Sequence, residues 1–80
     1  MRTRKIVGEK NDIGLTVVKF RREKGLKQKD LLAQMQTRGL EIGETSLSML
    51  EGQHRAATDR ELRVLAEIFH VEIEELYNQE

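Results

Sequence analysis

Residues 26–55, LKQKDLLAQMQTRGLEIGETSLSMLEGQHR, contain the pattern that decides the fold. The first half has apolar side chains at the spacing of one helix face, and Gly39 follows them in a turn. Leu47 and Leu50 repeat the inward spacing in the second half. The segment therefore predicts two short helices joined by a glycine-containing turn, helix 2 at about 28–37 and helix 3 at about 44–52.

The two predicted helices have an inward and an outward side. The inward side of helix 2 is formed by Leu31, Leu32 and Met35, and Leu40 and Ile42 are expected to anchor the turn in the core. The outward side of helix 3 carries hydroxyl groups and one flexible thioether: Thr45, Ser46, Ser48 and Met49. A helix with such an exposed side has the chemistry to read another molecule.

Length and composition limit the chain to one small helical domain. Eighty residues bury one modest core. Proline is absent, strand-like apolar runs are missing, and good helix formers are abundant, which predicts an all-α fold. The sequence contains no cysteine, as is usual in a reducing cytosol. No apolar run approaches the roughly 20 residues that span a bilayer, and the first residues lack the apolar stretch of a signal peptide, so we expect a soluble, cytoplasmic chain.

The helices around this pair follow from caps and apolar spacing. Residues 1–11 lack helical periodicity and are basic, which predicts a flexible arm. Asp12 is predicted to cap helix 1, at about 12–24, which Gly25 ends. Thr58 and Glu61 have capping-box spacing and predict a helix 4 that ends near His70 in a left-handed conformation. A short helix 5 is predicted from the last apolar residues, Val71, Ile73 and Leu76.

The charges are segregated along the chain although they sum to zero. Residues 1–38 contain 11 Lys or Arg against 4 Asp or Glu, whereas residues 39–80 contain 3 against 10. A basic half is compatible with one face that meets phosphates, and also with ordinary solvated helix surfaces. Charge alone therefore leaves the kind of partner open.

The order of these motifs resembles the lambda-repressor and Cro-like (XRE) family of helix-turn-helix domains. The resemblance covers about residues 12–77 and includes Ile13-Gly14, Phe20-Arg21, Gly25-Leu26, Gln28, Leu47-x-x-Leu50-Glu51 and Leu65-Ala66. Gln28 and Glu51 stand 23 residues apart, several more than is usual in the family. A lengthened turn with Gly39 to Ile42, followed by Thr58-Asp59, is similar to one subset of it. The resemblance implies a compact five-helix fold with 12–78 as the DNA-binding domain.

The resemblance also implies roles for individual residues on duplex DNA. Helix 3 enters the major groove, which is about 12 Å wide and admits one helix. Its base-reading residues are Glu44, Thr45, Ser46 and Met49. A phosphate contact is implied for Gln28, and Ser48 is placed near the sugar–phosphate chain. Lys27, Lys29, Arg38 and Arg55 flank the same surface and are candidates to neutralise phosphates; the alternative for each of them singly is a solvated charge. The arm, with Arg2, Arg4 and Lys5, is expected to follow a groove when DNA is present.

The family further pairs the arginine of helix 1 with the glutamate that ends helix 3, which here are Arg21 and Glu51. We expect a largely buried ion pair that orients helix 3. The alternative is two independent surface charges.

Several of these residues have simpler interpretations. Thr45 and Ser46 are residue types that cap helix N-termini, and Met49 lies where a core side chain is equally expected. Gln28 is compatible with a solvated first-turn residue. Glu44 places a negative charge where relatives commonly have Arg or Gln, which argues against tight DNA binding, although carboxylates accept from the cytosine amino group.

The leading hypothesis is a sequence-specific transcriptional regulator of the repressor type, prokaryotic or phage, that binds double-stranded DNA. A homodimer on an inverted repeat with half-sites about 34 Å apart is implied. The alternative is a protein-interaction module on the same fold, such as an antitoxin or anti-repressor, for which exposed apolar residues on helices 4 and 5 would argue. An enzyme is not expected, since His54 and His70 have no ligand or base partners in the sequence, and no cofactor, metal or membrane is implied. The operator, the sign of regulation and the dimer surface stay open.

Overall fold

The apolar periodicity of the chain produces a fold built from helices. The computed structural model describes residues 8–77, and all regular structure in that range is helical. The elements are α1 (Gly14–Glu23), α2 (Gln28–Thr37), α3 (Glu44–Glu51), α4 (Asp59–Phe69) and a 3-10 helix (Ile73–Leu76). The predicted all-α class is confirmed.

The predicted five-helix fold is not confirmed, because the described residues form four α-helices and the predicted short helix 5 is a 3-10 helix. The segment after α4 forms four residues of 3-10 helix, whose bonds run from the Glu75 N–H to the Glu72 carbonyl and from the Tyr77 N–H to the Glu74 carbonyl. His70 precedes it in the left-handed conformation that the sequence predicted, with φ 59°. A segment of only four residues forms the i to i+3 hydrogen bonds of a 3-10 helix, the tighter helix type that occurs in short pieces.

One core lies between the four α-helices. α3 and α4 each pack against both α1 and α2, and the 3-10 helix packs against α4. The rings of Phe20 and Phe69 join α1 to α4 with centroids 5.5 Å apart. The completely buried side chains include Val17, Leu31, Met35, Leu47, Leu50, Leu65 and Leu76. The predicted inward faces of the helices are thus the faces that form the core.

The connection between α2 and α3 spans residues 38–43 and is anchored at both ends. Gly39 follows α2 with φ 96°, a backbone conformation that residues with a Cβ rarely adopt. Ile42 is buried and Leu40 packs against the core, as predicted for this turn. The Gln36 side-chain amide donates to the Ile42 carbonyl at 2.8 Å. The longer turn is therefore fixed to α2 by both apolar and polar contacts.

The start of α1 corrects one expectation. Asn11, rather than Asp12, caps this helix: its side-chain oxygen accepts from the N–H groups of Ile13 and Gly14, both at 2.9 Å. The Asn11 amide also donates to the carbonyls of Leu50 and Arg55. An aspartate has no donor for those two carbonyls, which is the physical reason that an asparagine holds this position. Asn11 thereby joins the start of α1 to the end of α3.

The predicted arm ends earlier than residue 11. The N–H groups of Gly8 and Lys10 donate to the carbonyls of Gly52 and Gln53, at 2.7 and 2.9 Å. Gln53 itself is buried, has a left-handed φ of 62°, and donates from its side chain to the Asn11 carbonyl. Residues 8–11 are thus part of the folded unit, and the rest of the predicted arm, residues 1–7 with Arg2, Arg4 and Lys5, lies outside the described residues.

Gly14→Ala is expected to destabilise the fold because α1 begins against the backbone of α3. A Cβ at this position would lie 2.7 Å from the carbonyl oxygens of Leu50 and Glu51. Alanine is the better helix former, but the overlap should outweigh its propensity and cost about 1–3 kcal/mol of unfolding free energy. The measurement is urea unfolding followed by circular dichroism.

Gly43→Ala is the control, because a Cβ there has open space around it. Its cost should stay below about 1 kcal/mol, the size of a capping preference. If Gly14→Ala lowers the unfolding free energy no more than Gly43→Ala does, the close approach of α1 to the backbone of α3 is contradicted.

Candidate functional site

The exposed side of α3 presents polar groups that the fold itself does not use. Thr45, Ser48 and Met49 recur at i, i+3 and i+4 and are all exposed, with 38% of Met49 accessible. The hydroxyls of Thr45, Ser46 and Ser48 make no hydrogen bond within residues 8–77. Gly43 stands at the N-cap of α3, and no side chain caps that helix. The capping interpretation of Thr45 and Ser46 is therefore wrong, and so is the core interpretation of Met49.

An open cleft joins this side of α3 to the start of α2. It has a volume of about 300 Å³ and is lined by Gln28, Glu44, Thr45, Ser48 and Met49. We call it the α2–α3 cleft. It brings together five of the residues that the sequence assigned to a binding surface. Ser46 is not among them: it is half-buried, and its carbonyl accepts from the Arg55 Nε at 3.0 Å.

Below the cleft, an ion pair connects α1 to the last residue of α3. Arg21 donates from Nε and a terminal nitrogen to the two carboxylate oxygens of Glu51, at 2.8 and 3.1 Å. The side chains are 12% and 6% exposed, so the pair is largely removed from water. Arg21 also donates to the Leu26 carbonyl after α1. The alternative of two independent surface charges is wrong.

Gln28 extends this pair into a cluster of three side chains. Its amide nitrogen donates to a Glu51 oxygen at 2.9 Å, so the Arg21–Glu51–Gln28 cluster ties α1, α2 and α3 together. The amide donor that was assigned to a phosphate is thus directed inward in the structure. The backbone N–H groups of Gln28 and Lys29, at the start of α2, have no hydrogen-bond partner among the described residues. Glu51 uses one of the two N–H bonds of the Gln28 amide, so the backbone N–H groups of Gln28 and Lys29 and the second amide N–H are the donors at this helix end that remain available to an anion.

A second ion pair occupies a residue that was expected to contact phosphate. Arg55 donates through both terminal nitrogens to the two oxygens of Glu61, at 2.9 and 2.8 Å, and also binds the Ser46 and Ala56 carbonyls. All of its donor nitrogens therefore have partners in the fold. Arg55 is a structural residue that joins α3 to the start of α4, because the buried Glu61 requires a counter-charge.

Glu61 is held in its charged form. The predicted capping box is present: the Thr58 N–H donates to the Glu61 carboxylate at 2.9 Å, and the Glu61 N–H donates to the Thr58 hydroxyl. Burial by itself raises the pKa of this carboxyl. The hydrogen bonds from Arg55 and from the Thr58 backbone together outweigh burial, so the pKa of Glu61 lies below its ordinary value of 4.5.

The remaining basic residues do not form one surface. Lys27 and Lys29 are exposed beside the start of α2. Asp30 lies in the same turn and accepts from the Lys27 N–H, which adds a negative charge there. Arg38 follows the other end of α2, roughly 15 Å along the helix, and pairs with Glu67 of α4 at 3.2 Å. Arg38 is therefore separated from the α2–α3 cleft, contrary to the expectation that it flanks the same surface.

Arg21→Ala is expected to lower stability by about 3–5 kcal/mol, because it leaves Glu51 buried without a counter-charge. Arg22→Ala changes an exposed neighbour in the same helix and should stay within about 0.5 kcal/mol. Chemical unfolding of both variants gives the comparison. Small and equal losses would show that the Arg21–Glu51–Gln28 cluster does not stabilise the fold.

Glu61 predicts a particular dependence of stability on pH. Its pKa is lower in the folded state, so the ionised carboxylate stabilises the fold above about pH 4.5, and this contribution is lost as the pH falls through the lowered value. The difference in unfolding free energy between the parent protein and Glu61→Gln should thus be largest near neutral pH and shrink on acidification. Urea unfolding at a series of pH values measures it.

Glu67→Gln, at an exposed carboxylate, is the control for that series. If the difference in unfolding free energy between the parent protein and Glu61→Gln grows as the pH falls, the pKa of Glu61 is not lowered in the folded state.

Three further findings concern membrane spans, metal sites and the comparison with known proteins. No helix in the range 8–77 has the length and apolar character needed to cross a membrane. Within the same range, no group of three or more histidine and acidic side chains is arranged to hold a metal ion. Comparisons with models of protein families, with curated proteins and with solved structures give no match for this chain.

Proposed function

We propose that the protein is a sequence-specific DNA-binding regulator that inserts α3 into the major groove. The observation that carries the proposal is the exposed side of α3, where the hydroxyls of Thr45 and Ser48 have no hydrogen-bond partner within the described residues and line the α2–α3 cleft. A groove about 12 Å wide admits one helix, and hydroxyl and methyl groups contact base edges there. The order of helix, lengthened turn and helix, similar to the lambda-repressor and Cro-like domains, supports the same function.

The first turn of α2 is proposed to bind a phosphate. The unpaired N–H groups of Gln28 and Lys29 lie at the positive end of the helix dipole, and the side chains of Lys27 and Lys29 add charge. Such contacts fix the position of the protein on the duplex but do not read the sequence. The Arg21–Glu51–Gln28 cluster then sets the angle between this phosphate contact and α3.

Glu44 gives the proposal a specific base preference. It is exposed at the first position of α3 and lines the α2–α3 cleft with Thr45 and Ser48. A carboxylate accepts a hydrogen bond from the amino group of cytosine but is repelled by phosphates. We therefore assign Glu44 to a cytosine in each half-site, at the expense of overall affinity.

A second function, protein interaction on the same fold, has one observation in its favour. Ile73 and Tyr77 at the end of the chain are 38% and 47% exposed. They alternate with acidic residues that give this segment a strongly negative surface: Glu72, Glu74 and Glu75. A partner with basic and apolar groups, as an antitoxin or anti-repressor would bind, matches this segment.

The leading proposal is tested by selecting bound sequences from random DNA duplexes at low and high salt. Regulation by a dimer predicts enrichment of an inverted repeat, with log affinity falling by about 0.9 per neutralised phosphate for each tenfold rise in salt. If no sequence is enriched at either salt concentration, sequence-specific DNA binding is ruled out. Tight binding to one purified protein partner in that case would favour the second function.

Glu44→Gln tests the reading of the bases directly. The change removes a negative charge and supplies an amide, which pairs best with adenine, so affinity should rise and the cytosine preference should move to adenine. The same selection experiment with the variant is the measurement.

Glu41→Gln is the matched control, since Glu41 is an exposed carboxylate in the turn before α3 and does not line the cleft. Identical selected sequences from both variants would show that Glu44 does not contact a base.

A further inference from the structure

The α2–α3 cleft places a carboxylate next to an apolar patch on one stretch of α3. Glu44 and Ser48 stand at i and i+4, and Thr45 and Met49 form the adjacent row with the same spacing. All four side chains are exposed and line the cleft. The first row supplies a carboxylate and a hydroxyl, and the second row supplies the methyl group of Thr45 and the thioether of Met49. A group that enters the cleft therefore meets a hydrogen-bond acceptor and an apolar surface side by side.

Met49 is the apolar side chain of α3 that the fold leaves uncovered. Leu47 and Leu50 of the same helix are completely buried, whereas 38% of Met49 is accessible. Covering such a side chain with an apolar group removes its surface from water, which is favourable. The thioether is flexible and polarisable, so it adapts to the shape of that group. On the major-groove edges of the four common bases, the one apolar group is the methyl at C5 of thymine.

Each base presents a different combination of groups to a carboxylate beside an apolar patch. Cytosine offers the amino donor that a carboxylate accepts, but it has only a hydrogen at C5. Thymine offers the C5 methyl, but its O4 is an acceptor and is repelled by a carboxylate. Adenine and guanine have no methyl, and both present the N7 acceptor. A cytosine that is methylated at C5 carries the donor and the methyl on neighbouring ring atoms, so among these bases it alone satisfies both features of the cleft.

We infer that the α2–α3 cleft recognises 5-methylcytosine in duplex DNA. Glu44 accepts from the amino group of the base, and Met49 and the Thr45 methyl cover the methyl at C5. The inference rests on the proposed function, because it names the modified base that α3 reads at the position already assigned to Glu44. Transfer of a methyl group to C5 of cytosine is the class of reaction that must supply this ligand. Methylation of the site then strengthens binding of the protein without a change in the base sequence.

The two contacts predict an order of affinity among the pyrimidines. Burial of one such carbon group contributes about 0.8 kcal/mol, which corresponds to about fourfold tighter binding for each contacted cytosine that is methylated. Thymine should bind more weakly than either form of cytosine, because its O4 faces the Glu44 carboxylate. A cleft that read the methyl alone would bind thymine as tightly as 5-methylcytosine. A cleft that read the amino group alone would not distinguish 5-methylcytosine from cytosine.

The test is fluorescence anisotropy of the full chain on synthetic duplexes at one salt concentration. The duplex carries the sequence enriched in the selection, and the cytosine to be changed is the one whose preference moves to adenine in Glu44→Gln. That cytosine is replaced by 5-methylcytosine, or its base pair by thymine with adenine. We expect about fourfold tighter binding in the first case and weaker binding than to the unmodified duplex in the second. Equal affinities for the methylated and unmethylated duplexes overturn the inference but leave sequence-specific binding intact, whereas a lack of any sequence-specific binding overturns both.

Met49→Ala separates the methyl contact from the contact with the amino group. The preference for 5-methylcytosine over cytosine should fall below about twofold, while cytosine stays preferred over thymine because Glu44 is unchanged. Leu15→Ala is the matched control, since Leu15 is an exposed apolar side chain of α1, 44% accessible, that does not line the cleft. The control should keep the difference of about fourfold, and thermal unfolding verifies that both variants are folded. If folded Met49→Ala keeps the full preference for 5-methylcytosine, or if no cytosine in the selected sequence depends on Glu44, the inference is overturned.

Discussion

The bidentate contact between Arg21 and Glu51 is the interaction on which the arrangement of the helices depends. Two oppositely charged groups are withdrawn from water, which is favourable only when the geometry is good and the remaining hydrogen-bond positions are filled. Here the Leu26 carbonyl and the Gln28 amide fill them. The arginine belongs to α1, the amide to α2 and the carboxylate to α3. The relative position of three helices is therefore set by one carboxylate.

The loop after α3 is held by a second set of polar contacts. Asn11 uses its acceptor for the first turn of α1 and its donor for the carbonyls of Leu50 and Arg55. Arg55 in turn neutralises the buried Glu61, and each of its three nitrogens has a hydrogen-bond partner in the fold. The loop is thus held by α1 on one side and by α4 on the other. The exposed side of α3 is presented on a helix whose last turn has little freedom to move.

The sequence predicted the helices well because apolar spacing and helix caps are local signals. Leu31, Leu47 and Leu65 are buried as their periodicity indicated, and the left-handed His70 follows from its place after a strongly amphipathic helix. The choice between Asn11 and Asp12 was not predictable in this way, because both cap helices and only the tertiary contacts to α3 require a donor. The structural role of Arg55 was missed for a similar reason: its counter-charge stands six residues away in α4, and a basic residue near a candidate binding helix suggests a phosphate contact first. The predicted contacts with DNA remain predictions.

The shortness of α3 limits how much one copy of the protein can specify. Eight residues extend about 12 Å, and at about 3.4 Å per base pair such a rod spans three or four steps of a duplex. Each fully specified base pair contributes two bits of information, so α3 specifies roughly 6 to 8 bits. A unique binding site among about a million genomic positions requires about 20 bits. For a regulator of the proposed kind, the missing information has to come from additional copies or from neighbouring factors.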